Sequence, residues 1–135
     1  MQNNLKTESQ YFNFNSFLQS KEGIDIYSYT GWNGLSVTKF VISKDKSLSS
    51  SFIYSCFPEL AAKGKIFVVN KGHIKFESSN QEVSLKDYDA LDLASNEKNY
   101  KLNSIDSTTI FMISAIGLSN FNEKTIFFNF KKDIE

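Results

Sequence analysis

The segment GKIFVVNKGHIKF, residues 64–76, contains two runs of alternating side chains that meet at Gly72. In the first run Lys65 is in phase with Phe67 and Val69, because side chains two residues apart share one face of a strand. The second run alternates in the same way after the glycine. Two such runs around a turn residue predict two consecutive strands.

Runs of strand length recur on both sides of this segment, at intervals of about 8 to 12 residues. The predicted strands span residues 24–29, 35–43, 51–57, 65–70, 73–77, 82–85, 90–94, 99–103, 108–116 and 125–130. Asn33-Gly34 is a signal for a two-residue hairpin turn between the first two strands. The apolar phase of the second strand slips across Lys39, which predicts a bulge there.

One helical signal interrupts the strand pattern at residues 58–64. Pro58 stands at a suitable first helical position, and Gly64 stands where a left-handed residue ends many helices. We predict one short helix near residues 58–63 that crosses one end of the sheets. Segments in such places carry function more often than their neighbours do.

The composition favours an all-β fold in a single domain. The chain has 135 residues, and one domain takes roughly 100 to 200. Hydrophobic residues make up 41% of it, which is ample for one core. Phe, Ile, Tyr and Val are plentiful, and they suit a pleated, half-buried surface. We expect one antiparallel β-sandwich or barrel over residues 1–135, in which residues 1–10 are flexible.

The charge balance argues against a nucleic-acid partner, because fifteen lysines match fifteen acidic residues and arginine is absent. The longest apolar stretch, residues 110–118, is much shorter than the ~20 residues of a membrane-spanning helix. Residues 1–8 have neither the basic nor the apolar region of a secretory signal. The single Cys56 suits a reducing compartment. We therefore expect a cytoplasmic protein with no nucleic-acid and no membrane partner.

Aromatic residues are concentrated at the two ends of the chain. Seven of the thirteen phenylalanines lie in the first 18 or the last 15 residues, where a disordered tail would carry few. An outer strand that is aromatic on both faces aggregates unless another surface covers it. Because twofold oligomers are common, we expect a homodimer built through these terminal aromatic strands.

Residues 64–76, together with residues 83–93, resemble the middle of a cupin jelly roll. In that family a strand leads through a glycine turn into its partner, and a leucine, a spacer and a glycine-aspartate turn follow. Gly72 and Asp89 stand at these landmarks. The stretch from residue 87 to residue 115 also resembles the keto-deoxyuronate and deoxyglucuronate isomerases, a branch of the same superfamily. The likeness covers about residues 31–116 and implies a cupin-like antiparallel jelly roll.

The matching positions lack the metal ligands of the family. Cupins that catalyse reactions usually hold one metal ion with two histidines, a glutamate and a later histidine. In this sequence the position of the glutamate is occupied by Lys65, and that of the later histidine by Asn99. The two positions of the histidine pair are occupied either by Pro58 and Leu60 or by Glu59 and Ala61. Only the final asparagine of the second motif is kept, as Asn103. One histidine and one cysteine cannot supply a typical zinc or iron site, so we expect no metal and no cofactor.

The candidate ligand-binding residues are Tyr54, Cys56, Lys65, Asn99, Tyr100 and Asn103. Lys65, Tyr54 and Tyr100 are also the candidate catalytic groups. Inside an apolar barrel, Lys65 would have a lowered pKa suited to base or imine chemistry; alternatively it snorkels from the end of its strand. Tyr54 and Cys56 share one face of a predicted strand and line a cavity or fill the core. His73 is expected on a solvated sheet face.

Three functions remain open. The first is a metal-free cupin-like protein that binds a small polar metabolite, a sugar or sugar acid, in the barrel mouth. The second, which the resemblance implies, is an isomerase or related enzyme acting on keto-sugar acids; it requires a buried pair of titratable groups with opposed pKa shifts. The third is a structural or interaction module with a filled barrel. We favour the first, and the volume of the cavity separates the third from the other two.

Overall fold

The structure is a computed structural model that describes residues 17–32, 35–79, 81–115, 118 and 124–129. The strands are β1 (Phe17–Lys21), β2 (Ile24–Trp32), β3 (Leu35–Ile42), β4 (Ser47–Ser49), β5 (Gly64–Lys71), β6 (His73–Ser78), β7 (Glu82–Lys86), β8 (Ala90–Asp92), β9 (Tyr100–Ser104), β10 (Thr108–Ala115) and β11 (Ile126–Phe128). An α-helix, α1 (Ser50–Cys56), and a 3-10 helix (Pro58–Ala62) lie between β4 and β5.

The strands form two antiparallel sheets with one core between them. The larger sheet has the order β1-β2-β3-β10-β5-β8-β11, and the smaller has the order β4-β9-β6-β7. Phe40 and Phe67 from the larger sheet and Phe76 and Leu102 from the smaller are completely buried. The prediction of an all-β antiparallel sandwich is confirmed.

Residues 64–76 form β5 and β6, as their alternation predicts, and Lys65 faces the core together with Phe67 and Val69. The cupin likeness implies that these two strands pair with each other, but they do not. β5 pairs with β8 and β10, and β6 pairs with β7 and β9. The turn at Gly72 therefore carries the chain from one sheet to the other. Gly72 has a φ of 127°, which a residue with a side chain rarely adopts.

The predicted strand over residues 51–57 is wrong, because residues 51–56 belong to α1 and Phe57 caps its end. Ser49 caps the helix, and its hydroxyl accepts a hydrogen bond from the main-chain nitrogen of Phe52 at 3.1 Å. Phe52 and Ile53 are adjacent in sequence and are both buried in the core. A strand would place adjacent side chains on opposite faces, so burying both favours a helix.

The short helix predicted near residues 58–63 exists as the 3-10 helix, with Pro58 in its first turn. Its predicted end is wrong. Gly64 begins β5 and is not in the left-handed region, and the capping residue is Lys63 in an extended conformation.

The bulge predicted at Lys39 is also wrong. β3 keeps a continuous register with β10 from Ser36 to Ile42, and the shift against β2 lies between Thr30 and Trp32. The apolar pattern changes phase because both faces of β3 are buried at this point. Val37 is 5% exposed, and it lies on the face opposite Thr38 and Phe40. The predicted Asn33-Gly34 turn lies outside the described residues, and so do Phe12 and Phe14 of the predicted terminal aromatic strands.

Candidate functional site

Lys65 is a buried cation at the start of β5, with 3% of its surface exposed. Its Nζ donates hydrogen bonds to the main-chain oxygens of Leu60, at 2.7 Å, and Lys63, at 2.6 Å. The same atom lies 5.2 Å from the centre of the Tyr54 ring. The side chain therefore joins β5 to the end of the 3-10 helix and does not snorkel to solvent.

The pKa of Lys65 is lowered from its ordinary value of 10.5 to about 8. Burial is the main cause, because it disfavours the charged form, and the positive charge of Lys98 acts in the same direction. Lys65 is therefore mostly ammonium at pH 7, and the amine form becomes abundant near pH 8.

A pair of tyrosines lies beside this lysine. The hydroxyls of Tyr54 on α1 and Tyr100 on β9 are 3.2 Å apart. Burial raises the pKa of Tyr54, and the hydrogen bond with Tyr100 partly offsets that effect. Burial also raises the pKa of Tyr100, and the hydroxyl of Tyr54 and the charge of Glu97 raise it further. Both phenols keep their protons at neutral pH.

Lys65 and Tyr54 line a cavity of about 450 Å³, which we call the lysine cavity. It lies between the 3-10 helix, the start of β5 and the segment that follows β8. Its wall contains charged, hydroxyl and apolar side chains: Tyr54, Ala61, Lys63, Gly64, Lys65, Leu93, Ala94, Ser95, Glu97 and Lys98. The volume lies within the range of roughly 300 to 1,000 Å³ that is typical of small-molecule sites.

The lysine cavity carries an excess of positive charge. Lys63, Lys65 and Lys98 line it, and Glu97 is the acidic residue among its lining side chains. A carboxylate oxygen of Glu97 accepts a hydrogen bond of 3.3 Å from Thr125, whose Oγ1 also accepts one from the main-chain nitrogen of Ala94 at 3.1 Å. Glu97 is therefore held at the wall, and the cavity is suited to an anion.

A second cavity, of about 480 Å³, is lined by residues of β1, β2 and β3 and by the segment around the 3-10 helix, and we call it the hydroxyl cavity. Its lining residues are Leu18, Ser28, Ser36, Thr38, Phe57, Glu59, Leu60 and Lys63. Lys63 lines both cavities.

The structure brings three of the six predicted site residues together: Tyr54, Lys65 and Tyr100. Cys56 packs against the core, and its Sγ accepts a hydrogen bond of 3.7 Å from Gln19. Asn99 and Tyr100 line a separate depression of about 320 Å³, and Asn103 bonds to Ser47 of the neighbouring strand. Of the six predicted residues, Tyr54 and Lys65 line the lysine cavity, and the other four do not.

His73 lies on the face of β6 opposite Ile74, as predicted, but its ring is only partly exposed to solvent. Its Nε2 is buried and has no hydrogen-bond partner among the described residues. It does not line the lysine cavity.

Sequence reasoning missed Lys63, Glu97 and Lys98. The last two precede β9 in a segment without periodicity, and no spacing rule links such a segment to the 3-10 helix. The available signal was the concentration of lysines around the helix, at positions 63 and 65.

The cupin metal site does not fit these residues. The position that the likeness assigns to the glutamate ligand holds Lys65, a cation whose Nζ is already bonded to two carbonyl oxygens. Among the described residues no three His, Cys, Asp or Glu side chains form a group that could hold a metal ion. We therefore derive no chemistry through a metal.

The architecture is that of a jelly roll, and solved structures of the cupin superfamily share it. A cupin superfamily protein from Desulfitobacterium hafniense is 12% identical, with a TM-score of 0.56 over 73% of this chain and 84% of that one. KdgF from a Halomonas species is 13% identical, with a TM-score of 0.60 over 78% and 94%. An RmlC-like cupin from Shewanella frigidimarina is 11% identical, with a TM-score of 0.59 over 79% and 92%.

The chain therefore has the cupin fold, and the resemblance stated from residues 64–93 is confirmed at the level of the fold. No model of a known protein family matches the sequence, and no curated protein sequence matches it. Within the described part of the chain, no helix is long and apolar enough to cross a membrane.

Proposed function

We propose that this cupin-fold protein binds a small anionic metabolite of the sugar-acid class in the lysine cavity, without a metal ion. The observation that carries the proposal is the cavity itself, where three lysines and one glutamate surround about 450 Å³. A carboxylate is the ligand group that such a charge excess favours, and a polar small molecule suits the mixed wall.

The wall offers a separate contact for each part of a sugar acid. Lys63 and Lys98 would hold the carboxylate, and Ser95 and the Tyr54 hydroxyl would bond to ring or chain hydroxyls. Leu93 would contact the apolar carbon–hydrogen face of the ligand. The likeness to the keto-deoxyuronate isomerases points to the same class of compound.

Thermal unfolding in the presence of gluconate, glucuronate and glucose tests this proposal. The two acids should raise the melting temperature, and glucose should not, because it lacks the carboxylate. A ligand at 100 times its Kd stabilises by about 2.7 kcal/mol. Lys98→Gln should reduce the shift, whereas Lys101→Gln changes an exposed lysine outside the cavity and should not. Equal shifts with glucose, or shifts unchanged in Lys98→Gln, would contradict the proposal.

A keto-sugar acid isomerase is the second candidate, and the two pKa shifts favour it. The pKa of Lys65 is lowered and that of Tyr54 is raised, so an amine base and a phenol acid lie side by side. The amine would remove the proton next to the substrate carbonyl while the phenol donates to its oxygen. Exchange of that proton in D₂O, followed by NMR, distinguishes turnover from binding alone.

An interaction module is the third candidate, because the space between the sheets is filled by apolar side chains such as Phe40, Phe67 and Phe76. It is favoured if none of the acids alters the melting temperature.

The edge strands β1 and β11 expose Leu18, Ile126 and Phe128, which supports the proposed homodimer through the terminal strands. Light scattering at micromolar concentration should give the mass of a dimer, and a monomer would contradict it.

A further inference from the structure

We infer that Lys65 forms an imine with the carbonyl carbon of an oxo acid bound in the lysine cavity. The inference rests on the proposed function, since the ligand must first occupy that cavity as an anion. It narrows the ligand to sugar acids and related carboxylates that carry an aldehyde or a ketone.

The hydrogen bonds of Nζ orient its lone pair. A neutral amine has two N–H groups, and the oxygens of Leu60 and Lys63 accept one each. The lone pair then occupies the remaining tetrahedral direction, away from both carbonyls. The centre of the Tyr54 ring lies 5.2 Å from the same nitrogen, and both residues line the lysine cavity, so the nucleophile is oriented before the ligand arrives.

Enough of the side chain is neutral to react. With a pKa of about 8, about half of the Lys65 side chains are amines at pH 8, whereas roughly three in a thousand would be at a pKa of 10.5. A lysine in a desolvated site next to another cation is the usual form of an imine-forming lysine. Lys98 is that second cation, because its charge contributes to the lowered pKa.

The reaction needs only groups that the cavity contains. The Nζ lone pair attacks the carbonyl carbon, and the carbonyl oxygen takes a proton, which gives a carbinolamine. The carbinolamine takes up one proton at its hydroxyl, loses water and leaves a protonated imine. The net change is amine, carbonyl and one proton to protonated imine and water, which is the same as ammonium plus carbonyl to protonated imine plus water. The phenol of Tyr54 can donate to the departing oxygen.

The product also fits the hydrogen bonds of the site. A protonated imine has one N–H, which can stay on the buried Leu60 oxygen. The Lys63 oxygen, which lies in a less buried position, loses its donor and can accept water from the cavity.

Trapping with pyruvate, a small 2-oxo acid, tests the inference on the full-length protein. Sodium cyanoborohydride reduces an imine to a stable amine, and peptide mass spectrometry locates the added pyruvate minus one oxygen. At pH 8, Lys65 should be labelled at least about ten times faster than the exposed Lys101, because the lowered pKa of Lys65 leaves about half of its side chains as amines. Labelling spread over the surface lysines, without a preference for Lys65, would overturn the inference.

Two variants support the assignment. Lys65→Met should abolish the fast labelling, and Lys65→Arg should do so while it retains a cation for the two carbonyls. Because the site is mapped in the unmodified chain, a variant that fails to fold leaves the test intact. Gluconate, which has no aldehyde or ketone, separates the two hypotheses. If gluconate raises the melting temperature but pyruvate is not trapped at Lys65, the imine alone is refuted. If none of the acids raises the melting temperature, the proposed function is refuted.

Discussion

Replacing Tyr88 by glycine and by alanine measures the backbone strain at the turn between β7 and β8. Tyr88 has a φ of 71°, and it is 56% exposed. The backbone is fixed there, because the main-chain nitrogen of Tyr88 donates to the Val69 oxygen at 2.7 Å. The adjacent Asp89 carboxylate accepts from the main-chain nitrogen of Lys86 at 2.9 Å. In the motif that residues 83–93 resemble, position 88 would be the glycine.

The two variants both remove the ring, so their difference isolates the backbone effect. A side chain costs roughly 1 to 2 kcal/mol in the left-handed region, and glycine loses an extra 0.4 to 1 kcal/mol or so because its unfolded state is freer. Tyr88→Gly should therefore be more stable than Tyr88→Ala by about 0.5 to 1 kcal/mol.

Urea unfolding with linear extrapolation measures this difference. Ser84, an exposed residue in β7 outside the left-handed region, provides a control of opposite sign. There the glycine variant should be the less stable one, by roughly 0.5 to 1 kcal/mol. If glycine were the less stable variant at position 88 as well, the reasoning about this turn would be refuted.

Three further changes test the turn and the candidate site. Gly72→Ala should cost about 2 kcal/mol or more in urea unfolding, because the new Cβ would lie 2.6 Å from Thr108 Oγ1 at a φ of 127°; a loss below about 0.5 kcal/mol would contradict this. Between pH 8 and 10.5 the Lys65 side chain binds more protons in the unfolded chain than in the folded one. The free energy of unfolding of the wild type, relative to that of Lys65→Met, should therefore rise across that window by up to about 3 kcal/mol. A difference that does not change with pH would contradict the lowered pKa. Tyr54→Phe leaves the buried Tyr100 hydroxyl without its partner and should cost about 1 to 3 kcal/mol. Tyr100→Phe should cost less, because Tyr54 lines the lysine cavity and its hydroxyl can bond to water there. The reverse order in the same assay would refute this.

Periodicity predicted most of the strands because it reports which face of each strand is buried. Lys65 is the clearest case, since its phase with Phe67 and Val69 is enough to predict that it faces the inside of the sandwich. The same reasoning failed for residues 51–57. Their Phe, Ile and Tyr favour strands, but the Ser49 cap and the burial of two adjacent side chains outweigh that preference.

The rest of the candidate site depends on contacts between distant segments. Glu97 and Lys98 reach the lysine cavity because the chain after β8 is tied down, in part by the bond from Ala94 to Thr125. Thr125 is 31 residues away along the chain, next to β11. A single sequence contains no periodic signal for such a contact, so the charge of the cavity could not be predicted from it.

The cupin likeness and the buried lysine together explain why we propose an anionic ligand. At the position where the family usually has a carboxylate for a metal ion, this chain has Lys65, which reverses the sign of the charge at the centre of the site. Lys63 and Lys98 add positive charge, and Glu97 offsets only part of it. A cation would be repelled from such a cavity, whereas a carboxylate would be attracted and would favour the ammonium form of Lys65. A bound carboxylate without an aldehyde or ketone, such as gluconate, should therefore slow the labelling of Lys65 by pyruvate, because it occupies the lysine cavity. That effect would separate an anion held against Lys65 from an anion bound elsewhere on the protein.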